Sequence, residues 1–209
     1  MRSLIVRLLS AVEVSGRNLV VTDVIVKYVM KTLARDLELM EAAGVDSFEI
    51  YGREKELRCT FHGFRFKGVI DRLDSFDGKG MRVVDYKTGK VLDDDVDIHD
   101  GNAESIADSI FAPDVKERPK IALQFFIYDM LLKERGVTCG RDVYNCVYST
   151  SRLFKEVPES VPMNVSFYGF MSERLESLLD EMCDVTVGFR RTEDRSVCEY
   201  CDFRNICGR

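Results

Sequence analysis

The 209-residue chain lacks any apolar run that reaches the length of about eighteen residues needed to span a membrane. Its opening stretch, Met1 to Ala11, is interrupted by Arg7, which is not typical of a secretory signal peptide. The seven cysteines are odd in number and show no framework of even spacings, which argues against a secreted disulfide scaffold. We therefore expect a protein of the reducing cytoplasm with no membrane partner.

The chain also lacks an excess of positive charge. It has 30 Lys and Arg residues against 36 Asp and Glu residues, which gives a formal net charge of −6. Because contacts to nucleic-acid phosphates come from basic residues, such a chain can bind DNA only through a locally basic face or with help from metal ions or neighbouring domains. The composition is otherwise typical of a globular protein, with 32% charged and 45% hydrophobic residues.

Two predicted strands carry the most informative residues. The first strand contains Asp71, and the second contains Asp85 with Lys87 two residues later. Because side chains alternate across a strand, Asp85 and Lys87 must project from the same face. The segment between the strands, Asp77-Gly78-Lys79-Gly80, has the composition of a hairpin turn.

A three-residue turn at positions 77–79 predicts the register of this hairpin. It sets Phe76 opposite Gly80, and therefore Asp71 opposite Asp85 with Cβ atoms roughly 5 Å apart. Two like charges at this separation repel each other, and a divalent cation between them relieves the repulsion. Two carboxylates, a cation and an adjacent ammonium group form a site suited to phosphate ester hydrolysis. The alternative interpretation is a solvated salt-bridge cluster at the end of a hairpin.

These motifs resemble those of the PD-(D/E)XK nucleases, in their RecB-like branch. Gly68–Arg72 looks like the second motif of that family, Val84–Gly89 looks like the third, and Gln124–Tyr128 matches the Gln-x-x-x-Tyr motif of the branch. The chain also has a terminal set similar to the cysteine cluster of the iron–sulfur members: Cys198, Cys201 and Cys207. The resemblance runs from about Glu49 to Arg209 and is strongest to the C-terminal nuclease domain of AddB-type helicase–nucleases.

The resemblance implies roles for the residues that match these motifs. Asp71 and Asp85 would hold Mg²⁺ or Mn²⁺ together with the backbone carbonyl of Tyr86. Lys87 would orient the attacking water and offset the charge that builds on the phosphate. Two residues share a helix face that would border the active site and help to position DNA or the catalytic lysine: Gln124 and Tyr128. Either Glu54 or Glu56 could add a further carboxylate.

The hydrophobic periodicity predicts an α/β protein with a mixed central sheet flanked by helices, the restriction-endonuclease-like core. We expect an N-terminal helical segment over residues 1–46, a nuclease core over 47–190 and a cysteine-containing tail over 191–209. Three helix starts are predicted, at Thr22 or Asp23, at Pro119 and at Ser172. The acidic stretch from Asp93 to Asp100 is interpreted as a solvated linker, with a metal site as the alternative.

The cysteine tail is incomplete as a cluster site. Thiolates bind iron–sulfur clusters or zinc, and both normally need four protein ligands. In the family that the chain resembles, a fourth cysteine and a metal-binding histidine lie upstream of the first motif. No cysteine precedes Cys59 here, and His62 and His99 are misplaced. The resemblance therefore implies a C-terminal fragment of a larger helicase–nuclease-like protein, whose 4Fe–4S cluster would be incomplete in this chain.

Three functions are compatible with these features. The first is a metal-dependent deoxyribonuclease that hydrolyses phosphodiester bonds in the manner of an exonuclease, in DNA repair or recombination. Its partners would be DNA and a helicase region or partner subunit. The second is an inactive, truncated nuclease fold that serves as a DNA-binding or interaction module. The third is a zinc-binding module built around the terminal cysteines.

Overall fold

The structure is a computed structural model that describes residues 15–76, 78–112, 118–138, 140–188, 191–199 and 201–208. Within these ranges the helices are α1 (Arg17–Ala43), α2 (Ala103–Phe111), α3 (Lys120–Glu134) and α4 (Val165–Cys183). The strands are β1 (Glu49–Phe61), β2 (Phe64–Ser75), β3 (Gly80–Lys87), β4 (Asp142–Ser149) and β5 (Ser160–Pro162). In this part of the chain, no helix is long and apolar enough to cross a membrane.

The strands form one five-stranded mixed sheet in the order β1-β2-β3-β4-β5. β2 and β3 pair antiparallel, and β3 and β4 pair parallel. A parallel pair cannot be joined by a tight turn, and the long connection between β3 and β4 contains α2 and α3. The predicted α/β architecture, a mixed sheet flanked by helices, is confirmed.

The chain divides into two compact units whose segments alternate along the sequence. The first unit takes residues from Met1–Lys55, Ile70–Val91 and Arg141–Val161. Its core joins β3, β4 and the segment after β4 to α1. Four buried side chains form this core, with Tyr28 and Leu39 of α1 packed against them: Val84, Cys146, Tyr148 and Leu153.

The second unit takes residues from Glu56–Val69, Leu92–Gly140 and Pro162–Arg209. Its core lies between α2, α3 and α4, with Phe126, Met130 and Met171 almost completely buried. The parts of β1 and β2 that belong to this unit pack one apolar face against the core. The residues on that face are Cys59, Phe61, Phe64 and Phe66.

Two of the predicted helix starts were wrong. α1 begins at Arg17, and Thr22 lies inside it with its hydroxyl donating to the Asn18 carbonyl at 2.8 Å. α4 begins after Asn164, whose side chain accepts the Phe167 N–H at 2.7 Å and so satisfies the first turn. Ser172 therefore lies in the helix interior. The predicted start at Pro119 is confirmed, because α3 begins at the next residue.

The interpretation of the acidic stretch as solvated was wrong for Asp95, whereas Asp93, Asp94, Asp97 and Asp100 are exposed. Asp93–Asp95 forms a 3₁₀ turn, and Asp95 is only 4% exposed. Its carboxylate accepts the backbone N–H groups of Ile121 at 2.8 Å and of Ala122 at 3.3 Å. These N–H groups have no hydrogen-bond partner within the helix, and the buried Asp95 carboxylate supplies one. Its negative charge also interacts favourably with the positive end of the helix dipole of α3.

Candidate active site

The β2–β3 hairpin has the register that was predicted from its turn. The paired residues are Arg72 with Val84, Leu73 with Val83 and Asp74 with Arg82. One step further along the same register, Asp71 lies opposite Asp85. Asp77 falls outside the described residues, but Gly78 has a φ of 69° and its N–H donates to the Ser75 hydroxyl at 2.9 Å. A positive φ favours glycine, so this residue fits the turn.

Asp85 is a buried carboxylate that is paired with Lys87. Asp85 is only 1% exposed, and its Oδ2 lies 2.8 Å from the Lys87 Nζ. The Lys87 side chain keeps 27% of its surface exposed. Burying a charge is costly unless it is paired, and the ammonium group supplies that pairing. The pair also confirms that the two side chains project from the same face of β3.

Asp71 contributes the second carboxylate at this end of the hairpin. Its Oδ2 accepts the backbone N–H of Tyr86 at 2.9 Å, so the side chain bonds directly to β3. The hydrogen bond fixes Asp71 beside the peptide that links Asp85 and Tyr86. The structure therefore brings together Asp71, Asp85, Tyr86 and Lys87 at this end of the hairpin. Among the described residues, no third His, Cys, Asp or Glu side chain joins the two carboxylates in a metal-binding group.

The opposite face of the hairpin carries a buried ionic network that the sequence analysis missed. Arg72 donates to Asp36 at 2.7 and 2.8 Å, and its Nε lies 2.7 Å from Asp74. Arg82 donates to both oxygens of Asp74, at 2.8 and 2.9 Å. The Tyr148 hydroxyl donates to Asp36 at 2.5 Å. The network ties α1 to β2, β3 and β4 behind the two candidate catalytic carboxylates.

The charges of this network balance, with two carboxylates against two guanidinium groups. Burial alone would raise the pKa of Asp36. The hydrogen bonds from Arg72 and Tyr148, together with the positive charges of Arg72 and Arg82, outweigh that effect and hold this pKa below its ordinary value.

Burial is also the main cause that raises the pKa of Cys146 to about 11, so this thiol stays protonated at neutral pH.

Gln124 and Tyr128 lie one turn apart on α3, as predicted. The Gln124 amide donates to the Tyr128 hydroxyl, and that hydroxyl donates to the Val69 carbonyl at 2.7 Å. Val69 belongs to β2. Gly68, the residue before it, allows the close approach of α3, because a Cβ there would lie 2.7 Å from a Leu131 methyl carbon and 3.3 Å from the Tyr128 ring.

The terminal cysteines are not assembled into a metal site. Cys198 ends a short 3₁₀ turn, Cys201 donates its N–H to the Cys198 carbonyl, and Cys207 donates to the Phe203 carbonyl. In the part of the chain that the structure describes, no three metal-binding side chains come together. Cys183, which lies at the end of α4, is exposed.

Glu54 and Glu56, the two residues predicted as possible sources of a further carboxylate, have different surroundings. Glu56 is exposed and pairs with Lys67 at 2.8 Å and with Arg58 at 2.7 Å. Hydrogen bonds from these two cations lower its pKa. Glu54 has a positive φ of 47°, a backbone conformation that is uncommon outside glycine. Neither residue is part of a metal-binding group among the described side chains.

The chain is similar to a known protein family over nearly its whole length. The sequence model of the PD-(D/E)XK nuclease superfamily matches residues 6–208. This range contains both hairpin carboxylates, the lysine, the Gln–Tyr pair and the terminal cysteines. A search of curated proteins gave no match.

Proposed function

Because the chain belongs to the PD-(D/E)XK nuclease superfamily, we propose that it is a divalent-metal-dependent nuclease that hydrolyses phosphodiester bonds in DNA. One observation carries this proposal: the β2–β3 hairpin places Asp71, Asp85 and Lys87 on one face, where Asp85 and Lys87 form a direct ion pair. A surface salt-bridge cluster does not need a carboxylate as buried as Asp85, which is 1% exposed.

The donor set of the hairpin fits a hard divalent cation. Asp71, Asp85 and the backbone carbonyl of Tyr86 offer only oxygen ligands, which Mg²⁺ and Mn²⁺ prefer over sulfur or nitrogen. These three groups would hold the ion. When bound, the ion supplies a Lewis acid for the phosphate oxygens and makes a coordinated water more acidic.

The protein itself contributes charge and orientation at this site. The Asp85 carboxylate holds the Lys87 ammonium group at 2.8 Å, so the ammonium is fixed before substrate arrives. A fixed cation stabilises the charge that develops on the phosphate without a reorganisation cost, and it can donate a hydrogen bond that orients the attacking water. The N–H of Tyr86 holds Asp71 in the same way.

Gln124 and Tyr128 have a positioning role in this proposal. The Tyr128 hydroxyl binds the carbonyl of Val69, two residues before Asp71 on β2. The Gln124 amide orients that hydroxyl by donating to it. The pair therefore fixes the backbone of β2 upstream of the first carboxylate.

The assignment to a branch of the superfamily and to a biological role rests on the sequence motifs alone. The Gln-x-x-x-Tyr motif and the terminal cysteines support a RecB-like, AddB-related exonuclease that acts in DNA repair or recombination with a helicase region or partner subunit. We propose the segment boundaries 1–46, 47–190 and 191–209 for such a protein. A 4Fe–4S cluster at Cys198, Cys201 and Cys207 would need a fourth ligand. The free thiols among the described residues fit a reducing cytoplasm.

A cleavage assay with matched lysine variants tests the nuclease proposal. Labelled linear DNA is incubated with the full chain in Mg²⁺, in Mn²⁺ and in excess EDTA. Lys87→Ala should lower the cleavage rate by about 10²-fold or more, because removal of one hydrogen-bond donor that stabilises a transition state typically has an effect of this size. Lys155→Ala, which removes an exposed lysine, should cleave at the wild-type rate.

Two results would contradict the proposal. One is a Lys87→Ala variant that is folded by circular dichroism and cuts as fast as Lys155→Ala. The other is a wild-type chain that binds DNA but never cuts it in either metal, which would favour the inactive binding module. Metal analysis that found tightly held zinc and no cleavage would favour the zinc-binding module.

A further inference from the structure

Half of the residues that line a groove in the second unit are basic. The groove has a volume of about 650 Å³, and four of its eight lining residues are basic. These are Arg58, Arg65, Lys67 and Arg135, whereas Glu134 is the one acidic residue in the lining. A chain with a net charge of −6 therefore has a locally basic surface here.

The basic side chains follow from the geometry of the β1–β2 hairpin. His62 and Gly63 have positive φ angles of 47° and 78°, as in a two-residue turn that joins adjacent antiparallel strands. This turn sets Arg58 opposite Lys67. Since Cys59 and Phe66 face the core, the alternation of side chains directs Arg58, Arg65 and Lys67 to the other face.

Hydrogen bonds hold the groove in shape. The Arg135 side chain, just after α3, donates to the Arg58 carbonyl at 2.6 Å and so anchors the end of this helix to β1. Glu56 bridges Arg58 and Lys67 through exposed ion pairs. Such pairs contribute little because solvent screens them, so the two cations can exchange Glu56 for a phosphate at small cost.

The spread of these cations points to a polyanion. Arg65 and Lys67 are two residues apart on a strand, so their backbones are separated by roughly 7 Å. A single small anion would need converging donors, whereas charges distributed along two strands fit successive phosphates. Arginine also forms bidentate hydrogen bonds with phosphate oxygens, and three of the four basic residues are arginines.

We propose that this basic groove binds the sugar–phosphate backbone of the DNA substrate. The inference rests on the proposed nuclease function and names the surface that holds the nucleic acid. It also accounts for how an acidic chain can bind DNA. The groove contacts phosphates rather than bases, so binding through it should not depend on sequence and should weaken as salt increases.

Binding in EDTA separates this proposal from catalysis. Fluorescence anisotropy with labelled DNA of two unrelated sequences gives the dissociation constant of the full chain at several salt concentrations. The double variant Arg65→Glu/Lys67→Glu should weaken binding at least tenfold for both sequences. If two phosphate contacts are lost, the slope of log K against log salt should become shallower by about 2.

Two control variants sharpen the result. Lys27→Glu/Lys155→Glu makes the same change in net charge with two exposed lysines outside the groove, and it should alter the dissociation constant less than threefold. Glu56→Gln acts in the opposite direction, because it releases Arg58 and Lys67 from their acidic partner. It should tighten binding. Circular dichroism checks that each variant is folded.

The proposal is wrong if the groove variant and the Lys27/Lys155 control weaken binding equally. It is also wrong if the chain fails to bind DNA but binds a polyglutamate peptide through the groove, which would indicate an acidic protein partner. Loss of DNA binding in the groove variant, with no cleavage by the wild-type chain in any metal, would support the groove and contradict the nuclease proposal. These outcomes therefore distinguish failure of the groove proposal from failure of the nuclease proposal.

Discussion

Replacing Asp36 by Asn should destabilise the first unit strongly, because this carboxylate neutralises a buried cation. Asp36 is 4% exposed and accepts two hydrogen bonds from Arg72, which is 7% exposed. Arg82 lies 3.6 Å away. Asn keeps the volume of the side chain but removes its charge. Two buried guanidinium groups would then share one carboxylate, that of Asp74.

The size of the effect follows from the cost of an unpaired buried charge. Breaking a buried ion pair from one side costs about 3–5 kcal/mol of unfolding free energy. Domains have only about 5–15 kcal/mol in total, so the loss should be a large fraction of the stability. In a chain of this length, where 1 kcal/mol shifts the melting temperature by about 2–4 °C, the melting temperature should fall by about 6–20 °C.

Urea unfolding followed by circular dichroism measures this loss directly. Glu38→Gln on the same helix is the matched control, since Glu38 pairs with Arg35 but its side chain is 39% exposed. Arg35 is buried but also donates to the Leu153 carbonyl at 3.0 Å, so the loss of the partly exposed Glu38 should cost less than the loss of Asp36. A double-mutant cycle of Asp36→Asn with Arg72→Met should give a coupling energy of about 1–3 kcal/mol, because the two groups are in direct contact.

The reasoning would be refuted if Asp36→Asn and Glu38→Gln cost the same. A coupling energy near zero between Asp36 and Arg72 would also contradict it. Acid should have a related effect. The pKa of Asp36 lies below its ordinary value of 3.8, so the stabilisation is present above that pH and is lost as the pH falls through the folded-state pKa. The Asn variant should lack this part of the acid sensitivity.

Three further predictions concern the second unit. Gly68→Ala should cost about 1–3 kcal/mol in urea unfolding, because its Cβ would lie 2.7 Å from a Leu131 methyl carbon; an unchanged midpoint would show that α3 can shift freely. Asp95→Ala should cost about 1–2 kcal/mol through loss of the cap on α3, and wild-type stability in this variant would show that water replaces the carboxylate. The hydrogen bond that His62 donates to the Asp180 carboxylate raises the pKa of His62, so the stabilisation is complete below about pH 6.5 and is lost as the pH rises through the folded-state pKa. An NMR titration should show a lower pKa of His62 in Asp180→Asn, and equal values would mean that the pair does not persist in solution.

The hairpin was predictable from sequence because its geometry is local. Two strands joined by a short turn have a register that the turn sets, and that register fixes which face carries Asp71 and Asp85. The ionic network behind it was not predictable, because Asp36 lies far along the chain from Arg72. The sequence contained one signal of this network: β2 carries charged residues at alternate positions among apolar ones, Arg72 and Asp74. They indicated a buried charged face but not its partner.

Asp95 shows the same limit in a different form. A run of aspartates is typical of a solvated loop, and composition cannot show that one member lies at the start of a helix. The start of α4 was missed because Ser172 and Asn164 both have side chains that cap helices. Only the packing of Phe167 and Met171 against the core of the second unit decides between them. Tertiary contacts therefore settled what local sequence left open.

In the proposed mechanism Asp71 and Asp85 hold the divalent ion jointly, and the Mn²⁺ dependence of DNA cleavage tests this most directly. Initial rates are measured over a range of Mn²⁺ concentrations for the wild-type chain and for Asp71→Asn. The wild-type rate should saturate and vanish in excess EDTA. The variant should need roughly tenfold more Mn²⁺ or should not cut at all. Loss of a residue that only hydrogen-bonds to a metal ligand already weakens metal binding by about this factor, and Asp71 is a proposed ligand itself. Equal half-saturating concentrations at an undiminished rate, or wild-type cleavage that persists in EDTA, would contradict the metal site.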